Sequence, residues 1–301
     1  MAFPYVTDLL NALLGTHWQL AIPTFGVLVA TAIIVATQVA RRETKRLATI
    51  GALPPNAESI VSDLALVSAL AGLVGARLFH ILDHAPEFMA NPAAFIFTRS
   101  GFSIYGGLLL GAIAGALFLK SRKVPLAPML DATAPSLMLG YAIGRLGCQL
   151  AGDGDWGIAA DMALRPAWLP DWLWAQTYHG NILGVVIPAP GVYPTPIYES
   201  AAAFALFGVL WALRSHRQRA GYLFALYLLL AGFERLLIEK IRINPEHVVL
   251  GVRLTQAEAI SCVLILAGLL GALVKSTGNR LWPRVLLAVG VLTALSACAP
   301  L

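Results

Sequence analysis

The chain has 301 residues, of which 58% are apolar and 12% charged, and its mean hydropathy is +0.74. Charged residues make up about a quarter of a soluble domain, so this composition excludes an ordinary soluble enzyme. The net charge of +5 comes largely from short basic clusters between apolar runs, a pattern typical of membrane-protein loops, so nucleic-acid binding is excluded too.

Apolar segments of membrane-spanning length predict an all-α, polytopic membrane helical bundle of about seven or eight transmembrane helices. In chain order the predicted spans are 20–40, 60–82, 102–119, 126–150, 196–213, 221–242, 256–274 and 285–299. We interpret residues 1–301 as a single membrane domain, with 276–301 as an extra C-terminal helix. The first 20 residues lack a basic region and a small-residue cleavage site, so no cleavable signal peptide is predicted.

The distribution of lysine and arginine predicts the orientation of these spans. Thirteen of the 21 basic residues lie in the loops 41–46, 120–123, 214–219 and 275–284, whereas five lie in the alternate loops. Because cytoplasmic loops carry the excess of positive charge, this asymmetry places both termini outside. The other three, Arg77, Arg145 and Arg235, lie inside predicted spans. A buried arginine costs at least about 2.5 kcal/mol to insert, so these three should have partners.

Residues 151–195 form the one long segment between spans that is not itself a span. The segment contains several prolines and four of the seven tryptophans. It is predicted to be an outer-face cap between spans four and five, either a surface loop at the headgroup level or a substrate lid.

Arg145 lies in LGYAIGRLGCQLAGDGDWG, where four glycines remove side-chain bulk from one helix. An arginine beside glycine-exposed backbone suits a phosphate. The alternative is a glycine-rich packing face in which Arg145 pairs with Asp131 or Asp153.

Arg235, Glu239 and Arg242 lie along one face of a helix in GFERLLIEKIRIN, so Arg235 and Glu239 could be a self-satisfied pair. If Arg145 and Arg235 converge from two helices, they could instead hold a phosphodiester bidentately. Glu199, in the first turn after the proline-rich YPTP, could orient an arginine.

Two further segments bring polar groups to the ends of spans two and three. Arg77 and His80 are near the end of the second span, and Tyr105 with Gly106 and Gly107 starts the third. Tyr105 could be an interfacial aromatic residue and His80 a satisfied interfacial histidine. His80 is still a candidate because histidine titrates near neutral pH.

Several motifs together resemble those of the prolipoprotein diacylglyceryl transferase family of bacterial inner membranes. The matching segments are GARLFHIL at 75–82, FSIYGGLLLG at 102–111, GRLGCQLAGD at 144–153 with Trp156 and Gly157 beyond it, PTPIYE at 194–199 and RLLIEKIR at 235–242. Their order and spacing agree with the family, and the resemblance covers about residues 15 to 275.

The resemblance implies transfer of the diacylglyceryl group from phosphatidylglycerol to a lipobox cysteine of a prolipoprotein at the outer face of the membrane. It implies no cofactor and no metal, and the lipid bilayer is the remaining partner. The expected catalytic residues are Arg145, Arg235, Tyr105, His80 and Asp153. The expected substrate-binding residues are Arg77, Gly106, Gly107, Cys148, Glu199 and Glu239.

The chain departs from the family pattern at several positions. Tyr105 and Cys148 occupy the usual histidine and asparagine, and Asp153 is the nearest residue to a usual glutamate. Tyr193 replaces a further histidine, and Phe25 stands where a tyrosine is expected. A phenol with a pKa of about 10 is a poor general base, so His80 becomes the candidate base.

These departures leave alternatives open. One is a divergent paralogue that binds anionic phospholipid without transferring it, and another is a transporter, disfavoured because no internal repeat is found. The tail sequence LSAC, ending at Cys298, is similar to a lipobox, but an eighth anchoring helix explains it as well.

Overall fold

A computed structural model describes residues 1–92, 103–216, 219–249 and 252–275. The helices are α1 (Val6–Leu14), α2 (Thr24–Thr49), α3 (Val61–Asp83), α4 (Ala85–Ala90), α5 (Ile104–Ser121), α6 (Leu126–Ala151), α7 (Asp171–Trp174), α8 (Thr195–Leu213), α9 (Tyr222–Glu239) and α10 (Gln256–Lys275). Single 3₁₀ turns lie at Ala57–Ile60 and Met162–Leu164, and two strands, β1 (Glu246–Val249) and β2 (Val252–Thr255), form an antiparallel hairpin.

The helices confirm the predicted all-α, polytopic membrane class. Five segments of the described chain are long and apolar enough to cross a membrane: α2, the turn with α3 (Ala57–Asp83), α5, α8 and α10. The predicted fourth and sixth spans are helices as well, α6 and α9, and these carry Arg145 and Arg235. The predicted eighth span, at 285–299, lies outside the described residues.

The described chain divides into two compact units. The first consists of Met1–Ala36 and the described residues from Thr133 onward, and the second is Thr37–Ala132. The hydrophobic core of the second unit is formed by Leu47, Leu53, Ala57, Leu64, Leu119, Val124, Met129 and Ala132.

Glycines determine how α3 and α5 pack inside the second unit. A Cβ atom added to Gly106 would lie 2.3 Å from the Gly75 carbonyl oxygen, and one added to Gly75 would lie 2.3 Å from that of Gly106. Gly107 faces the Gly72 carbonyl in the same way, at 3.3 Å. Only glycine allows the approach between Gly75 and Gly106, and a side chain at Gly107 would be tight, so Gly106 and Gly107 both have a packing role.

The core of the first unit joins α6, α8, α9 and α10. Its buried side chains include Met138, Leu210, Leu229 and Leu269, one from each helix. The Ser200 hydroxyl donates to the Ala142 carbonyl at 2.9 Å, which ties α8 to α6. This packing holds together α6, α8 and α9, the three helices that carry Arg145, Glu199 and Arg235.

The cap, residues 151–195, has a small core of its own. Tyr178, Ile187, Val192 and Ala2 are buried together, with the Trp156 ring 5.0 Å from that of Tyr178. The backbone amide of Ala2 donates to the His179 carbonyl at 2.8 Å, so the N-terminal segment is part of the cap. Trp168 and Trp172, in contrast, are 80% and 57% exposed.

The hairpin β1–β2 is absent from the sequence-based prediction, which treated residues 243–255 as a loop. Its register pairs Glu246 with Thr255 and Val249 with Val252. The chain offers a signal for it, since β-branched residues in HVV and V-R-L-T flank a two-residue Leu-Gly connection.

Candidate functional site

Three arginines converge on one buried carboxylate, Glu199, which has no exposed side-chain surface. Arg145 Nε lies 2.7 Å from Glu199 Oε2. Arg235 Nη1 and Arg242 Nη1 lie 3.1 and 3.3 Å from Oε1. Arg145 comes from α6, Glu199 from the first turn and a half of α8, Arg235 from the last turn and a half of α9, and Arg242 from the segment just after it.

Asp155, in the cap, joins the same cluster. Arg145 Nη1 donates a hydrogen bond to Asp155 Oδ2, and Arg242 Nη2 donates one to Asp155 Oδ1 at 2.6 Å. Burial alone would raise the pKa of the Asp155 carboxyl, but the two guanidinium groups outweigh burial and hold the pKa below its usual range. Asp155 is therefore a permanent anion of the cluster at neutral pH.

Close backbone contact between the cap and the end of α9 brings Arg242 to Asp155. Gly157 and Arg242 form an isolated antiparallel bridge, and the Ile158 amide donates to the Ile241 carbonyl at 2.9 Å. A Cβ atom on Gly157 would lie 2.5 Å from that carbonyl oxygen, so only glycine fits here. The Thr195 hydroxyl also donates to the Asp155 carbonyl, at 2.6 Å.

Arg235 has a second carboxylate partner in Glu239, one turn further along α9. Arg235 Nη2 lies 2.8 Å from Glu239 Oε2, which is the i,i+4 pair that the sequence suggested. The pair does not exclude a functional role, because the same guanidinium also reaches Glu199. Arg235 thus lies between two buried carboxylates.

Cys148 and Asp153 lie beside the cluster. The Cys148 sulfur is 3.7 Å from Arg145 Nη1, and burial, followed by the charge of Asp155, raises the pKa of the Asp153 carboxyl. Ligand atoms of Cys148, Asp153 and Asp155 all lie within 4.8 Å of one another, a set that could in principle hold a metal ion. Both oxygens of Asp155 are already engaged by arginines, so we assign no metal to these residues.

The remaining sequence-predicted residues belong to the second unit. Arg77 and His80 lie in the C-terminal part of α3, and the centroids of the His80 and His84 rings lie 4.5 Å apart with the rings tilted by 43°. Tyr105, Gly106 and Gly107 lie in the first turn of α5. The glycines are explained by helix packing, and roles for these five residues in substrate binding or catalysis stay predictions.

Sequence reasoning did not assign Arg242 or Asp155 to the site. If Arg145 had a structural role, its expected partner was Asp131 or Asp153. Its direct ion pairs are instead with Asp155 and Glu199. Arg242 was counted among the outer-loop charges, although its spacing of seven residues from Arg235 places both on one helical face. The shared face was recognised from the sequence, but the carboxylates that Arg242 meets, Asp155 and Glu199, lie on other segments of the chain.

Three guanidinium groups in one place give the cluster donors of the kind that bind oxyanions. A guanidinium presents five N–H donors in a fixed fork that matches phosphate, and two forks from different helices can hold one phosphodiester. Within the described residues, Arg242 Nε is buried and has no hydrogen-bond partner. The fold and site therefore define a polytopic membrane protein with a buried cluster of arginines and carboxylates.

Comparison with known proteins agrees with that class. The sequence model described as prolipoprotein diacylglyceryl transferase matches residues 13–274. Three similar proteins are each named phosphatidylglycerol–prolipoprotein diacylglyceryl transferase. The one from Leptospira interrogans serogroup Icterohaemorrhagiae serovar copenhageni is 30% identical over 80% of this chain and 77% of its own. The Corynebacterium glutamicum (strain ATCC 13032) protein is 31% identical over 77% and 73%, and the Bacillus cereus (strain 03BB102) protein is 31% identical over 80% and 84%.

The chain belongs to the prolipoprotein diacylglyceryl transferase family. Family membership confirms the resemblance drawn from the sequence motifs and accounts for the membrane-length helices.

Proposed function

We propose that this protein transfers the diacylglyceryl group of phosphatidylglycerol to a lipobox cysteine of a prolipoprotein. The observation that carries the proposal is the convergence of Arg145, Arg235 and Arg242 from three parts of the chain on Glu199. Desolvated cations directed at one point favour a leaving group whose negative charge grows during reaction. The relatives' names supply the donor lipid and the acceptor protein.

The reaction breaks one bond and forms another. The acceptor thiol loses its proton, and the sulfur attacks the diacylglycerol carbon that bears the phosphate ester. The carbon–oxygen bond breaks with its electron pair going to the phosphate oxygen, which leaves as glycerol phosphate. The arginines would hold this phosphate in both the bound lipid and the transition state, and Glu199 and Asp155 would keep the guanidinium forks oriented.

The mechanism also needs an acceptor for the proton of the thiol. We propose His80 for this role, with Tyr105 as a further catalytic residue, and we assign Arg77, Gly106 and Gly107 to substrate binding by family resemblance. We also propose Asp153 as a catalytic residue near the reacting groups. Its raised pKa makes it a better proton acceptor than an ordinary aspartate.

We place the protein in the bacterial inner membrane as a single multi-pass domain, with the cap and both termini on the periplasmic side. The Ala2 amide donates to the His179 carbonyl in the cap, and the Phe3 amide donates to the Leu150 carbonyl at the end of α6, where the cap begins. These contacts support a shared side for the N-terminus and the cap. The basic loops alternate with these segments along the chain, which supports a cytoplasmic location for the loops.

A second candidate function is binding of anionic phospholipid without transfer. It is favoured by Cys148, which stands where the family pattern has asparagine and whose sulfur contacts Arg145. It is also favoured by Tyr105, since a phenol replaces the expected histidine. In this alternative the arginine cluster is retained and the base is lost.

Transfer is tested with purified protein, labelled phosphatidylglycerol and a lipobox peptide, with the thioether product measured by mass. We expect Arg145→Ala to abolish transfer and lipid binding, and Arg145→Lys to retain part of both, because lysine keeps the charge but loses the fork. Arg165→Ala is the matched control, since Arg165 is a cap arginine whose partner Asp171 is 75% exposed. Lipid binding by Arg145→Ala at the wild-type level would contradict the proposal. Binding without a thioether product would favour the second candidate.

A further inference from the structure

The carboxylate that pairs with Arg235 is itself held by the two ends of the hairpin. Glu239 Oε1 accepts the Thr255 hydroxyl at 2.6 Å and the Asn244 amide at 2.7 Å. Asn244 lies two residues before β1, and Thr255 is the last residue of β2. Glu239 Oε2 lies 2.8 Å from Arg235 Nη2, so the two side chains form an ion pair.

The direction of the Thr255 hydroxyl proton follows from its neighbours. The Glu258 amide donates to Thr255 Oγ1 at 3.1 Å, and the Glu258 carboxylate accepts the Thr255 amide at 2.9 Å. This reciprocal pair is a capping box at the start of α10. Because the hydroxyl oxygen receives an N–H there and an ionised carboxylate can only accept, the single hydroxyl proton points to Glu239.

We propose that Thr255 is a positioning residue for Arg235, acting through Glu239. Thr255 is 9% exposed and Glu239 4%, so the contact between them lies away from bulk water, where a lost donor is not replaced by solvent. Removing the hydroxyl leaves Glu239 with one donor fewer on Oε1. Glu239 can then turn toward Asn244 and release the Arg235 fork from its orientation toward Glu199.

This proposal rests on the proposed function, because the orientation of Arg235 matters only if that residue binds the lipid phosphate. Two measurements are therefore made on the full chain in phosphatidylcholine nanodiscs: the affinity for added phosphatidylglycerol, and the KM for phosphatidylglycerol and for a lipobox peptide during transfer. Affinity tests the positioning role even if transfer does not occur.

The variants are Thr255→Val, Thr255→Ser and Glu258→Ala. Valine keeps the shape but removes the hydroxyl, and serine restores it. Glu258→Ala removes the reciprocal half of the capping box and the 2.8 Å ion pair with Lys240, but it leaves the Thr255 hydroxyl on Glu239. Glu258→Ala therefore reproduces the structural damage at the α10 terminus without the change at Glu239.

We expect Thr255→Val to weaken phosphatidylglycerol binding and to raise its KM about tenfold, with the peptide KM unchanged. Thr255→Ser should bind within about twofold of the wild type, and Glu258→Ala should lower thermal stability yet bind the lipid normally. Wild-type affinity in Thr255→Val would overturn the proposal, and so would an equal loss in Glu258→Ala. If the wild type binds phosphatidylglycerol but does not transfer its diacylglyceryl group, the proposed function is refuted and the positioning role is still tested by affinity. If the wild type neither binds the lipid nor transfers the group, the proposed function and the positioning role are both refuted.

Discussion

Replacement of Glu199 tests whether the arginine cluster is held together by this one carboxylate. Glu199 has no exposed side-chain surface, and Arg145, Arg235 and Arg242 all contact it. Removing one partner of a buried ion pair costs about 3–5 kcal/mol, because it leaves charge without compensation. Each arginine keeps another carboxylate, Asp155 for Arg145 and Arg242 and Glu239 for Arg235. We therefore expect the lower end of that range.

Glu199→Ala should accordingly lower the free energy of unfolding by about 3 kcal/mol. Glu199→Gln keeps an oxygen acceptor of the same shape and should lose about half as much, since a neutral acceptor is weaker than a charged one. Both variants should weaken phosphatidylglycerol binding, the alanine variant more, because the forks lose their common orientation.

The assay is unfolding by denaturing detergent in mixed micelles, paired with lipid affinity in nanodiscs. Asp171→Ala is the control, because its carboxylate is 75% exposed and an exposed pair with Arg165 contributes less than about 1 kcal/mol. If Glu199→Ala unfolded at the wild-type detergent concentration, Glu199 would not be what balances the three charges, and the reasoning would be refuted.

Three further predictions concern the packing of the cap, the loss of stability at low pH and the group that accepts the thiol proton. Gly157→Ala should lower the free energy of unfolding by about 1–3 kcal/mol and weaken lipid binding, because the new Cβ atom would lie 2.5 Å from the Ile241 carbonyl oxygen and push the cap away from Arg242. An unfolding midpoint equal to that of the wild type would contradict this. Because the pKa of Asp155 is lower in the folded protein, its contribution to stability is complete above the ordinary pKa of about 3.9 and is lost as the pH falls through the lower pKa of the folded state. Asp155→Asn should therefore make the free energy of unfolding depend less on pH in this acidic range. For the base, Tyr105→His with Cys148→Asn should raise the initial rate of thioether formation, and His80→Ala should abolish any wild-type rate. A robust rate insensitive to His80→Ala would place the base elsewhere.

The membrane class and the helices were predictable from the sequence because lipid imposes a local rule. A segment that crosses a bilayer must be apolar over about 20 residues and must satisfy its own backbone, so composition within one segment is enough. The same rule singled out Arg145 and Arg235, since a charge inside an apolar segment is costly wherever the rest of the chain goes. Glu199 was predicted as a possible orienting carboxylate from its place in the first turn of a helix.

Which charges meet was decided by the tertiary structure. Asp155 and Arg242 are 87 residues apart in sequence, and they meet because Gly157 lets the cap backbone approach Ile241. The contact between Thr255 and Glu239 depends on tertiary structure in the same way, because the antiparallel pairing of β1 with β2 brings the end of β2 back beside the end of α9. Local periodicity reports which face of a segment is buried, but it carries no information on which distant segment covers that face. Pairing between distant charges follows from the path of the chain, and only the packed helices and cap determine that path.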